Sequence, residues 1–163
     1  MGSTPRRRKD GYFDAPPDAP DPVSVCCRRR VSFSEVDPLG ILWHGRYASY
    51  FEDANEELGR RVGLSYADFR DAGVRAPIVQ FHVDYFASPE LGEEVSIIGR
   101  MVWNDGARMD IVYEIRKEDG SLAAAGYTVQ MLVSGEGETL VVTPPLLERC
   151  RDRWKRGEFS DLQ

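Results

Sequence analysis

Tyr47-Ala-Ser-Tyr-Phe-Glu-Asp-Ala-Asn-Glu-Glu-Leu-Gly-Arg-Arg-Val62 is the stretch that decides the fold. Its apolar residues Tyr47, Tyr50, Phe51, Ala54, Leu58 and Val62 recur at the i, i+3/i+4, i+7 spacing of one helical face. Glu52, Asp53, Glu56, Glu57, Arg60 and Arg61 occupy the opposite face and read as solvated. Glu56 with Arg60 and Glu57 with Arg61 are i,i+4 pairs, acids toward the N-terminus, the order that the helix dipole favours. Gly63 is a stop signal. Ser65 to Gly73 reads as a short second helix with Ser65 as its N-cap.

Downstream of Gly73 the hydrophobic period changes from helical to alternating. Residues 77–85, 94–103, 108–116 and 122–133 read as strands, and 139–142 as an extension or a further strand. Asn104-Asp-Gly106 and Glu118-Asp-Gly120 supply turn chemistry between them. Upstream, Val23 to Phe33 carries the short alternations of one more strand. A lone long helix set between a strand and an antiparallel meander has one efficient packing: the sheet curls around the helix and buries its apolar stripe. The expected class is therefore α+β. A sheet of this size keeps open edges, so pairing with a second copy of the chain is expected.

The chain has 163 residues, enough for one domain with a sizeable core but marginal for two. Residues 1–22 hold five of the prolines and almost no aliphatic side chains, and read as a disordered extension; residues 23–163 read as the single folded domain. A net charge of -6 argues against nucleic acid as a partner. The basic run Arg6 to Lys9 reads as a solvated terminus. Three cysteines, two of them adjacent, do not form a disulfide framework or a zinc spacing. With no apolar run long enough to span a membrane, the expected location is the cytoplasm.

The chemistry sits just ahead of the helix, in Asp37-Pro-Leu-Gly-Ile-Leu-Trp-His44-Gly-Arg-Tyr47. Asp37 before Pro38 has two readings: an Asx-turn former, or a carboxylate that activates water against a carbonyl. His44 reads as a polarising or orienting imidazole, with a buried structural histidine as its rival. The amides of Gly45, Arg46 and Tyr47 stand where a helix N-terminus favours developing negative charge. Trp43 and His82 read as packing residues.

Those residues, with Tyr50-Phe-Glu-Asp-Ala54, Pro77-Ile-Val79, the Leu91-Gly-Glu93 turn and Gly120 to Gly126, resemble the signature of hotdog-fold acyl-CoA thioesterases over residues 25–147. The chain is similar to two branches, 4-hydroxybenzoyl-CoA thioesterase and the Tol-Pal-associated acyl-CoA thioesterases. Phe33 stands where the second branch carries Tyr, and the first branch lacks His44. The resemblance implies a homodimer or homotetramer that hydrolyses an acyl-CoA, or an acyl group on a carrier protein, with no metal or redox cofactor. It implies Asp37 as general base or nucleophile, His44 as its companion, and the Gly45, Arg46 and Tyr47 amides as the oxyanion hole. Arg108, beside a loop, is a candidate for the phosphates of coenzyme A. Two rivals remain at this level: a hydroxyacyl-thioester dehydratase, and a non-enzymatic acyl-binding protein.

Overall fold

The structure is a computed structural model that describes residues 11–161. Helix α1 spans Tyr47–Val62, and every apolar position of its periodic stripe is buried. Gly63 ends it in a left-handed conformation. A short helix α2 follows over Tyr66–Asp71, where Ser65 and Asp68 cap each other reciprocally.

Among the described residues seven strands complete the sheet structure: β1 (Val23–Arg30), β2 (Val74–Arg75), β3 (Ile78–Tyr85), β4 (Glu94–Val102), β5 (Arg108–Arg116), β6 (Leu122–Met131) and β7 (Val133–Ser134). The five long ones form an antiparallel sheet in the order β1-β4-β5-β6-β3, and β2 and β7 make a separate ribbon. Only β4, β5 and β6 are a true meander. β3 crosses over to pair with β6, so β3 and β4, neighbours in sequence, are not neighbours in space.

Alternation on β4 and β5 turns Val95, Ile97, Met101, Met109, Ile111, Tyr113 and Ile115 toward α1. Where α1 crosses β4 the backbones come close, and Gly99 makes room: a Cβ there would sit 3.0 Å from the Ala54 methyl. Phe51 stacks on Tyr113 with ring centroids 4.4 Å apart. The core is thus the concave face of the sheet closed by one helix.

Two sequence expectations change, and a helix appears where none was expected. Residues 139–142 make only an isolated bridge, Thr139 to Val133, and Val141 and Val142 are exposed. A helix α3 (Pro145–Lys155) covers the sheet end beside Trp103 and buries Leu146, Leu147, Cys150 and Trp154. The segment 11–22 is not a free extension. Tyr12 donates to Asp84 at 2.7 Å, the Tyr12 and Phe13 rings lie 5.1 Å from Tyr127, and Asp21 accepts from the Trp154 indole at 2.8 Å. Its two aromatic rings offset the proline-rich composition. The basic run Arg6 to Lys9 lies outside the described residues.

Candidate active site

Asp37 sits at the start of a tight turn. Its N–H donates to Ile41 O and its C=O accepts from Gly40 N–H, both at 2.9 Å. Gly40 has φ 76°, a left-handed conformation that fits glycine. The Asp37 carboxylate accepts the Leu39 N–H through Oδ1 at 2.8 Å, so the Asx-turn reading holds. Oδ2 has no partner among the described residues. The structural role therefore occupies one carboxylate oxygen and leaves the other for chemistry.

The turn is clamped on both flanks. On one side Leu42 N–H donates to Pro89 O at 2.8 Å, Leu91 N–H to Gly40 O at 3.0 Å, and Ile41 bridges Glu90. On the other, Val36 bridges Leu42, and Trp43 N–H donates to Glu35 O at 2.9 Å. Glu35 is the anchor. Its side chain is 7% exposed, pairs with Arg29, and accepts from the Ser32 N–H and the Tyr50 hydroxyl, both at 3.0 Å. Arg29 also reaches Asp53 at 3.0 Å and lies over the Tyr50 ring at 4.2 Å. Burial pushes the Glu35 carboxyl up, but the Ser32 amide, the Tyr50 hydroxyl and Arg29 outweigh it and hold the group below its ordinary range. This cluster ties β1, the Asp37 turn and α1 together. The sequence reading missed it, although Ser32-Phe-Ser-Glu35 has the capping-box spacing that signals such a contact.

His44 to Arg46 form a single 3-10 turn leading into α1. The His44 ring is exposed, has no hydrogen-bond partner among the described residues, and lies 5.1 Å from the Trp43 indole. Tyr85 donates its hydroxyl to His44 O at 3.4 Å and meets Tyr47 edge-on at 4.8 Å. Tyr47 is buried, which pushes its hydroxyl up to about 12.

The three nominated amides are not equivalent. Arg46 N–H already donates to Trp43 O at 2.9 Å, whereas Gly45 N–H has no such partner. Gly45 also carries the Trp43 ring directly over its Cα: an added Cβ would overlap the indole. Gly45→Ala is therefore expected to push Trp43 aside and shift the free amide. Turnover should fall by up to about 10²-fold, the effect of a sub-ångström to 1 Å misplacement in a reacting geometry. Steady-state rates alongside tryptophan fluorescence would measure both events.

Two other candidates stand apart. β5 is nine residues long, so Arg108 lies roughly 25 Å from the strand end nearest the Asp37 turn. Its guanidinium holds the buried Asp110 at 3.0 Å, and Asn104 binds the same carboxylate oxygen at 2.9 Å. Within one protomer the structure does not bring Arg108 to the turn. Glu52 leaves the solvated face: it is half-buried beside Asn55, and burial raises its carboxyl.

Known proteins resemble this chain in sequence and in fold. The family described as Thioesterase-like superfamily matches residues 31–150, a span that contains the turn, the 3-10 segment and α1. The chain belongs to the thioesterase-like superfamily. A 127-residue match at 31% identity links this thioesterase-like chain to the L-carnitine dehydrogenase/betainyl-CoA thioesterase of Agrobacterium fabrum, covering 78% of this chain and 26% of that protein. A putative esterase of Aquifex aeolicus is 40% identical over 58 residues, 36% of this chain and 45% of its own length. The chain thus spans less than half of these two relatives. Among solved structures, the DHNA-CoA thioesterase of Staphylococcus aureus superposes with a TM-score of 0.73 at 24% identity, covering 86% of this chain and 97% of that one. The architecture is the hotdog fold that the sequence resemblance implies.

Proposed function

We propose that this thioesterase-like chain hydrolyses an acyl-CoA to a free carboxylic acid and coenzyme A. The observation that carries the reading is the Asp37 turn: one carboxylate oxygen without a partner, on a loop clamped from both sides, in the segment that leads to an unpaired amide at the entrance of α1. The family membership and the likeness to the L-carnitine dehydrogenase/betainyl-CoA thioesterase of Agrobacterium fabrum, over 26% of that protein, support it.

In the proposed reaction the thioester oxygen lies against the Gly45 amide, where the helix end favours the charge that develops. Asp37 Oδ2 takes a proton from water as its oxygen attacks the carbonyl carbon, or attacks that carbon itself and forms a mixed anhydride that water then opens. Either way the C–S bond breaks as the tetrahedral centre collapses, and sulfur leaves as thiolate, taking up the proton that Asp37 drew from water or, on the anhydride route, the one released when water opens the anhydride. His44, exposed and unpartnered, orients the thioester from the same face. Thiol release from benzoyl-type, short-chain and long-chain CoA esters tests the reading; a protein inert toward all three, while still folded, would count against it.

We further propose a homodimer formed through β3, in the cytoplasm. Among the described residues no helix is long and apolar enough to cross a membrane, and Cys26, Cys27 and Cys150 are free thiols. The five-stranded sheet has two edges. The β1 edge carries Arg28 and Arg30, whose charges discourage pairing. The β3 edge instead exposes Ile78, Val79, Phe81 and Tyr85. Val79→Lys should convert a two-chain assembly to single chains, read as a halving of mass in sedimentation equilibrium; an unchanged mass would point to another face.

A further inference from the structure

A cavity of ≈ 700 Å³ opens at the end of the domain away from the Asp37 turn. Met101, Met109 and Ile111 from the sheet form its floor, Leu58 and Val62 from the second half of α1 one wall, and Phe69 of α2 another. None of its lining residues belongs to the segments 33–50 or 85–92 that build the Asp37 turn and its clamps. Within a protomer it is a separate site.

The chemistry of its walls limits what can enter. Inside, Gln130 donates to Asn55 at 3.1 Å and Ser65 to Asp68 at 2.6 Å, so the polar side chains are largely engaged with protein partners and the surface offered is hydrocarbon. Two methionines on the floor adapt to a flexible guest better than branched residues would. Of the charged and aromatic lining residues, Glu56, Tyr66, Arg70 and Arg75 are exposed, and Glu56 is paired with Arg60 at 3.7 Å. Arg70 pairs with Asp71 at 3.1 Å, whereas the Arg75 guanidinium has no partner among the described residues. An apolar chamber with an unpaired cation at its rim complements a molecule with an apolar tail and an anionic end. At about 30 Å³ per heavy atom, the share of a water in the liquid, ≈ 700 Å³ holds roughly twenty heavy atoms.

We propose that this cavity binds the unbranched chain, about ten to sixteen carbons long, of a single-tailed anionic amphiphile, with Arg75 at the anionic end. Two sources share that chemistry: a free long-chain carboxylate, and a long-chain acyl-CoA, whose anionic groups are the phosphates of coenzyme A. Only the thioester arm rests on the hydrolase reading.

Calorimetric titration of the full chain with hexanoate, decanoate and tetradecanoate tests the site directly. Affinity should rise about fourfold per methylene until the chamber is full, the gain expected from burying each CH₂. Ile111→Phe, which fills the floor, should cut tetradecanoate binding at least about tenfold while sparing hexanoate. Arg75→Glu, on the surface and harmless to folding, should weaken tetradecanoate a few-fold and leave tetradecanol unchanged. Flat dependence on chain length, or tetradecanoate affinity unmoved by Arg75→Glu, overturns the proposal. So does absence of binding at every length by an assembly whose second copy closes the opening. If Ile111→Phe also moves the chain-length profile of CoA-ester hydrolysis, the guest is the thioester's acyl chain; if hydrolysis is unmoved, it is the free carboxylate. Failure to hydrolyse any CoA ester would sink the hydrolase reading and leave the titrations valid.

Discussion

Asp37→Asn is expected to lower thiol release by roughly 10²- to 10⁴-fold, the usual contribution of a positioned general base, with no measurable change in melting temperature. The separation is possible because the two jobs of Asp37 use different oxygens. Asparagine keeps a side-chain carbonyl that accepts the Leu39 N–H in place of Oδ1, so the turn survives. What it loses is the basic oxygen that has no protein partner. Asp37→Ala removes both, and should add a modest loss of stability to the same loss of rate. If the asparagine variant hydrolyses its best CoA ester at the wild-type rate, Asp37 is a turn former only and the base lies elsewhere, Glu52 with its raised carboxyl being the next group to test.

The helix and most of the strands were legible because their patterns are local. The stripe Tyr47, Tyr50, Phe51, Ala54, Leu58, Val62 needs no partner to be recognised, and all six residues are buried in the fold. The order of strands was not legible in the same way: the pairing of β3 with β6 instead of β4 is a long-range choice that alternation does not encode. Helix α3 was readable, since Pro145 opens it and Leu146, Leu147, Cys150 and Trp154 keep helical spacing, but its polar residues masked the pattern. At the site, the spacing of Asp37 and His44 ahead of α1 could be seen, and the unequal standing of the Gly45 and Arg46 amides could not. Which N–H is spent depends on the 3-10 turn at His44–Arg46, a matter of coordinates.

Glu35 is the residue whose loss should cost the fold most. Glu35→Ala leaves Arg29, whose side chain is 27% exposed, without its inner partner, and leaves the buried Tyr50 hydroxyl without an acceptor. Breaking such a pair from one side costs about 3 kcal/mol, taken at the low end because Arg29 keeps Asp53, and for a chain of this size that lowers the melting temperature by roughly 10 °C. The sign of the pH effect follows from the depressed carboxyl. Its stabilisation is fully present above the ordinary value of 4.5 and is lost as pH falls through the lower folded value, when the protonated group gives up its pairing with Arg29. Glu35→Gln, which keeps the shape without the charge, should therefore be less stable than the wild type at neutral pH, with the gap closing progressively below 4.5. The same variants should lose turnover beyond their loss of folded fraction, because the Glu35 side chain ties the segment leading into the Asp37 turn to α1 through the Tyr50 hydroxyl and to β1 through Arg29. Thermal unfolding of wild type and Glu35→Gln across the acid range, paired with rates per folded molecule, measures both. A gap between the two proteins that stays constant with pH would mean that Glu35 contributes shape alone, and that the charge cluster does not hold the catalytic turn in place.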